Sequence, residues 1–151
     1  MIAKQVPMRS SRRSNFAELV RYITDSQGNS ERVGLVSITN CHSTDPISAG
    51  IEVQANQQLN RRSKADKTYH LIVSFRAGEN PSDDVLAAIE KRICAAIGFE
   101  EHQRVSAAHY DTENVHLHIA ISKVHPIKRT VHTPFNDHWH LARACEQLEA
   151  E

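Results

Sequence analysis

A chain of 151 residues, 40% hydrophobic and 24% charged, has the size and composition of one soluble domain around a single core. Eighteen Lys and Arg balance eighteen Asp and Glu, which weighs against a protein held to nucleic acid by bulk charge alone. An apolar leader and any run of membrane-spanning length are missing, and Cys41, Cys94 and Cys145 match no zinc-finger or redox spacing; the chain reads as cytosolic, with reduced structural thiols.

Taken in order, Ile2 to Val6 has the pattern of a short strand, followed by a basic Ser/Arg loop to Ser14. Ser14 or Asn15 can cap a helix with Glu18 in its first turn. Phe16, Leu19, Val20 and Ile23 recur at helical spacing, with Tyr22 at the edge of that stripe. After the turn residues Ser26 to Asn29, the β-branched run Val33 to Asn40 predicts a strand. Pro46 opens a second predicted helix with a stripe of Ile47, Ile51, Ala55 and Leu59. The polar run Gln57 to Lys67 reads as an exposed basic loop. Tyr69 to Phe75 is the next strand, with His70, Ile72 and Ser74 on one face and Leu71, Val73 and Phe75 on the other. Asn80 as cap and Pro81 as first residue predict a third helix, buried through Val85, Ile89, Ile93 and Ile97 and stopped by Gly98. Arg104 to Tyr110 is a strand that puts Val105, Ala107 and His109 on one face. A further short extended piece around Thr130 to Thr133 and a helix over Phe135 to Leu148 complete the chain. Because that helical pattern runs up to Glu151, residues 1–151 are expected to form one domain, the N-terminal part of a longer protein.

Between these elements lies the most informative stretch. From Val115 the pattern alternates strictly: Val115, Leu117, Ile119 and Ile121 fall on one face of a strand, and His116, His118, Ala120 and Ser122 on the other. The two imidazoles project side by side about 7 Å apart, a spacing that suits one shared metal ion. A hairpin would bring His109 alongside as a third ligand, with Asp111 orienting one ring from behind. Three neutral imidazoles with open positions describe a catalytic rather than a closed metal site. Two other meanings stay open at this level, a polar strand surface and a three-histidine metallohydrolase using metal-bound water. The element order predicts an α+β fold of the ferredoxin-like type, an antiparallel or mixed sheet of about five strands. Its helices would pack largely on one face, leaving the histidines on an open groove.

Charge is also segregated. Lys4, Arg9, Arg12, Arg13, Arg21 and Arg32 gather at the N-terminus, Arg61, Arg62, Lys64 and Lys67 form a second group, and Lys123, Lys128 and Arg129 a third. Acids concentrate elsewhere, so a neutral molecule can still present a basic face.

His116-Leu117-His118 resembles the His-hydrophobe-His motif of the HUH single-strand endonucleases. The longer string His109-x-Asp111-Thr112-x-Asn114-x-His116-x-His118-Ile119 resembles motif III of the P-type mobilisation (MOBP) relaxases, close to those of IncP-type plasmids. Phe16 to Asp25, with Tyr22, resembles their motif I, and Tyr69 to Arg76, with Ser74, their motif II. Tyr22, Tyr69 and Tyr110 all precede His116, which fits relaxases rather than the replication initiators and transposases of the superfamily. The resemblance implies that Tyr22 is the nucleophile of a reversible strand transfer at a plasmid transfer origin, which starts conjugation. It implies that His109, His116 and His118 hold Mg²⁺ or Mn²⁺ and that Ser74 contacts DNA beside the nick. Arg12, Arg13, Arg61, Arg62 and Lys64 are candidate phosphate contacts. The implied partners are single-stranded transfer-origin DNA, an accessory relaxosome protein that opens the duplex and a type IV secretion coupling protein. Set against this reading is a non-catalytic single-strand DNA-binding module.

Overall fold

Among the residues it describes (1–7, 15–25, 33–110 and 113–151), the computed structural model has five strands and four helices. In chain order they are β1 (Ile2–Gln5), α1 (Phe16–Asp25), β2 (Val33–Thr39), α2 (Pro46–Gln58), β3 (Thr68–Ser74), α3 (Asp83–Ala96), β4 (Arg104–His109), β5 (His116–Ser122) and α4 (Asp137–Glu149). The strands form one sheet in the order β1-β3-β5-β4-β2, and every neighbouring pair is antiparallel. The α+β architecture and the β4–β5 hairpin are those expected from the hydrophobic pattern. Val124 and Val131 add an isolated antiparallel bridge beyond β5.

The helices are distributed differently from the expectation. α3 and α4 bury Leu86, Ile93 and Leu141 against Leu71, Val73, Leu117 and Ile119 on one face. α1 and α2 bury Phe16, Val20, Ile23 and Val53 against Val105, Ala107 and Ala120 on the other. The histidine face is therefore covered over much of its length, not an open groove. The reason lies in its other residues: Val105, Ala107 and Ala120 make a small apolar floor, and the stripe of α1 gains by covering it.

One helix also turns a different side inward, and another departs from its expected stripe at one position. In α2 the buried residues are Ala49, Gly50, Val53 and Gln57, whereas Ile47, Ile51 and Leu59 of the predicted stripe are exposed. Small residues win because they let α1 lie close: a Cβ on Gly50 would stand 3.3 Å from the Cα of Ala17. Gln57 is tolerated inside because its amide bonds the Lys67 carbonyl and the Thr68 hydroxyl. In α3 the cap is Ser82 instead of Asn80, and its side chain accepts from the Val85 amide. Ile89, Ile93 and Ile97 are buried as expected, but Leu86 is buried and Val85 exposed, because the helix also turns Glu90 inward.

Glu90 bonds the Arg104 guanidinium and accepts from the Ser106 hydroxyl at 3.2 Å. Arg104 Nη1 donates in turn to the carbonyls of Phe99, Glu100 and His102. This network fixes the turn from α3 into β4.

Gly98 ends α3 as predicted, with φ at +84°, and a Cβ there would meet His132 Nε2 at 2.5 Å. Gly98→Ala combines a left-handed backbone penalty of about 1–2 kcal/mol with that clash and the loss of the bond between His132 and the Ile97 carbonyl. Chemical denaturation is expected to show a destabilisation of roughly 2–3 kcal/mol; a change below about 0.5 kcal/mol would contradict this account.

Candidate active site

Residues paired directly across an antiparallel sheet point to the same face. Ser74 pairs with His116, and His116 with His109, so these three form one row across β3, β5 and β4. The next row is Ile72, His118 and Ala107, and the row after it His70, Ala120 and Val105. Period-two alternation thus brings His109, His116 and His118 together, as the sequence predicted, and adds His70 from β3. The turn before β5 is held in place by Asn114, whose side-chain amide donates to the Phe75 carbonyl at 2.8 Å.

Each of the three expected ligands has one ring nitrogen engaged. His116 Nδ1 bonds Ser74 Oγ at 3.0 Å, His118 Nδ1 bonds His70 Nε2 at 3.1 Å, and His109 Nε2 donates to the Ile23 carbonyl at 2.6 Å. The His109 ring lies beside that of His118, with centroids 4.2 Å apart and planes tilted by 31°. Burial, together with the neighbouring imidazoles, pushes His118 down to about 3. Burial and then His109 push His70 down to about 4. Both rings are therefore neutral at physiological pH, the state in which an imidazole offers a lone pair to a cation.

Among the described residues, no three His, Cys, Asp or Glu side chains already converge on one point as metal ligands do. The donor set nevertheless fits a divalent cation in its chemistry. Three imidazoles share one corner of the sheet, each has one nitrogen left over, and each has an outer hydrogen bond that fixes its orientation.

Tyr22 stands in the last turns of α1, one residue before the carbonyl that His109 holds, and its side chain is 52% exposed. The helix starts at the far end of the sheet, where Asn15 accepts from the Glu18 amide and the Ala17 amide donates to Gln54. It delivers Tyr22 to the histidine end. The other two tyrosines serve the opposite face. Tyr69 is buried with its hydroxyl donating to Asp137 at 2.6 Å, and burial plus that carboxylate push its pKa far up. The Tyr110 ring lies where a Cβ on Gly34 would be, 2.2 Å from its Cε2, and burial followed by Asp83 raises its pKa.

Arg12, Arg13 and Asp111 lie outside the described residues. Arg61, Arg62 and Lys64 are not brought to the histidines, because they precede the start of β3, whereas Ser74 is at its end. His70 was not singled out from the sequence, although it lies four residues before Ser74 on the same strand face. That parity was the available signal; what it could not show is that β5 places His118 within bonding distance.

The MobA/VirD2-like relaxase nuclease domain matches residues 22–151. Over its whole length the chain is 58% identical to one Escherichia coli protein TraI and 56% identical to another, covering 21% and 20% of those proteins. It is 40% identical over 65 residues to protein MobA of Acidithiobacillus ferrooxidans, which is 43% of this chain and 16% of that protein. The chain thus spans about a fifth of the length of the TraI relatives. On that match and on these whole-chain identities, the chain belongs to the MobA/VirD2-like relaxase nuclease-domain family.

Proposed function

We propose that the chain nicks and rejoins one DNA strand at a plasmid transfer origin, with Tyr22 as the nucleophile. The observation that carries this reading is the placement of the tyrosines: Tyr22 alone of the three is exposed on the histidine side, on the helix whose Ile23 carbonyl His109 holds. In the forward step the Tyr22 oxygen forms a bond to phosphorus and the bond from phosphorus to the 3′ oxygen breaks. The phenol loses its proton and the departing 3′ oxygen gains one. The product is a 5′-phosphotyrosyl link and a free 3′ hydroxyl, and the reverse reaction reseals the strand without an external energy source.

His109, His116 and His118 would hold the divalent cation, Mg²⁺ or Mn²⁺. When bound, such an ion withdraws charge from the scissile phosphate, which offsets the weak nucleophilicity of a phenol with a pKa near 10. Ser74 orients His116 and has a hydroxyl that can donate to a phosphate oxygen. Asp111 is the remaining candidate for an outer partner. A single strand fits this corner because bases and phosphates must both reach a site built on a sheet. An accessory relaxosome protein that exposes the strand, and a secretion coupling protein that receives it, are the partners this function calls for. Among the described residues no helix is long and apolar enough to cross a membrane; a cytoplasmic place of action agrees with a plasmid substrate.

The reading is tested by incubating the protein with single-stranded transfer-origin oligonucleotide and Mn²⁺ and looking for a denaturation-resistant protein–DNA adduct. Cleavage without an adduct would favour a hydrolase, and binding without cleavage a DNA-binding module.

His70 gives a separate prediction. If His118 binds a cation through Nε2, its proton sits on Nδ1 and is donated to His70 Nε2. His70→Leu removes that acceptor and is expected to weaken Mn²⁺ binding on the order of 10–100-fold by calorimetry, with His70→Gln retaining more of it. Equal affinity in wild type and His70→Leu would show that the contact does not orient the ligand.

A further inference from the structure

The sheet has a cationic feature at the end away from the histidines. The segments after α2 and after β5 are distant in sequence, yet the Asn60 side-chain amide donates to the Arg129 carbonyl at 2.7 Å. Between them lies a cleft of about 600 Å³ flanked by Arg61, Arg62, Lys128 and Arg129, and none of the described residues lining it is acidic. All four cationic side chains are exposed.

This arrangement is costly without a ligand. Four like charges around one cleft repel each other. Arg129 also holds a left-handed backbone, with φ at +56°, a conformation that disfavours side-chain-bearing residues by about 1–2 kcal/mol. The turn that carries it is nonetheless tightly made. The Arg129 amide donates to the His125 carbonyl at 3.0 Å, and His125 Nδ1 accepts from the amides of Ile127 and Lys128 at 3.1 Å each. The hydrogen-bonded turn places Lys128 and Arg129 in the lining of the same cleft as Arg61 and Arg62, and Glu101, which bonds His125 Nε2, offsets only part of the Lys128 charge.

From these observations we propose that the cleft formed by Arg61, Arg62, Lys128 and Arg129 is a second DNA subsite, which holds backbone phosphates of the same strand that the active site cleaves. The inference rests on the relaxase reading for the identity of the polyanion. One length of β3 separates the two sites, about 20 Å. At a stacked rise of 3.4 Å per nucleotide, the bound phosphates lie about six nucleotides from the scissile one, and fewer in an extended strand. Phosphate contacts carry no sequence information and set register, so the cleft would anchor the strand while the histidine end does the chemistry.

The test uses fluorescence anisotropy with a labelled oligothymidylate of about 24 nucleotides across a salt series. Three double variants are compared with wild type: Lys128→Gln/Arg129→Gln, Arg61→Gln/Arg62→Gln, and Lys91→Gln/Arg92→Gln on α3 as a control. Each cleft pair is expected to weaken binding on the order of tenfold near 0.1 M salt and to flatten the log–log salt slope by about 1.4, at 0.7 per single-strand phosphate contact. The control pair should leave both nearly unchanged. Cleft variants with wild-type affinity and slope would overturn the subsite, as would an equal loss in the control. Failure of the wild type itself to bind the oligonucleotide would instead remove the DNA reading on which the subsite rests.

Discussion

Tyr22→Phe is expected to abolish the covalent protein–DNA adduct while leaving the fold and DNA binding intact. The substitution removes one oxygen from a side chain that is half exposed and has no hydrogen bond to the histidine cluster among those that hold the site. Its ring can still cover the edge of α1, so the melting temperature should stay within about 2 °C of wild type. The chemistry has no substitute nucleophile. Tyr69 is buried against Asp137 on the far face, and Tyr110 packs over Gly34. Loss of an essential nucleophile lowers the rate by at least on the order of 10⁴-fold, which on a denaturing gel is complete disappearance of the adduct. Removal of the divalent cation by chelation should also suppress the adduct in wild type, and re-addition of Mn²⁺ should restore it only where Tyr22 is present. An adduct that persists in Tyr22→Phe would transfer the role to another residue and dismantle the proposed function. An oligonucleotide that is cut but never attached would point to a hydrolytic water.

The histidine corner was legible in the sequence because strand parity is unforgiving. Once Val115, Leu117, Ile119 and Ile121 are assigned to a core, His116 and His118 have only one other face to occupy. Hairpin pairing then fixes His109 opposite His116. The neighbours of Tyr22 place it on a helix, but the role proposed for it rests on motif order, since an edge tyrosine on an amphipathic helix usually serves packing. The helix orientations were harder, and for a physical reason. α2 carries two apolar stripes, Ile47-Ile51-Leu59 and Ala49-Val53, and hydrophobicity alone favours the larger one. The buried stripe is the smaller, selected by how closely α1 can approach rather than by area. The same holds for the distribution of helices over two faces, because Ala107 and Ala120 are weak hydrophobic signals until a neighbouring helix uses them as a floor. Long-range pairings such as His70 with His118, or Asn60 with Arg129, depend on strand order and had no local signature.

The largest effect on stability is expected at the other end of β4. Glu90 and Arg104 are an almost fully buried ion pair, with side-chain exposures of 6% and 2%. Glu90→Ala removes the countercharge and leaves the guanidinium in a poorly solvated site, a change that costs about 3–5 kcal/mol in comparable buried pairs. Ser106 Oγ loses its acceptor at the same time. For a chain of this length the melting temperature should fall by roughly 10–15 °C. Replacing both partners by apolar residues, as in Glu90→Leu/Arg104→Met, removes the stranded charge and should recover part of that loss. The recovery stays incomplete, because the carbonyls of Phe99, Glu100 and His102 would then lose the Arg104 donor and keep only the His102 backbone amide and the Asn40 side-chain amide. Full recovery in the double variant would mean that the donors from Asn40 and the His102 amide suffice for those carbonyls, and no loss in Glu90→Ala would mean that the pair is solvated in solution. The catalytic corner should be largely indifferent to either change below the melting transition. His109 sits at the opposite end of β4, paired with Val33 on one side and His116 on the other, so its position depends on the sheet rather than on the turn that Arg104 ties down. Adduct formation per folded molecule, measured well below the melting temperature of the variant, is therefore expected to match wild type within about twofold. A large loss of activity in a still-folded Glu90→Ala protein would show that the turn from α3 into β4 sets the register of the histidines after all.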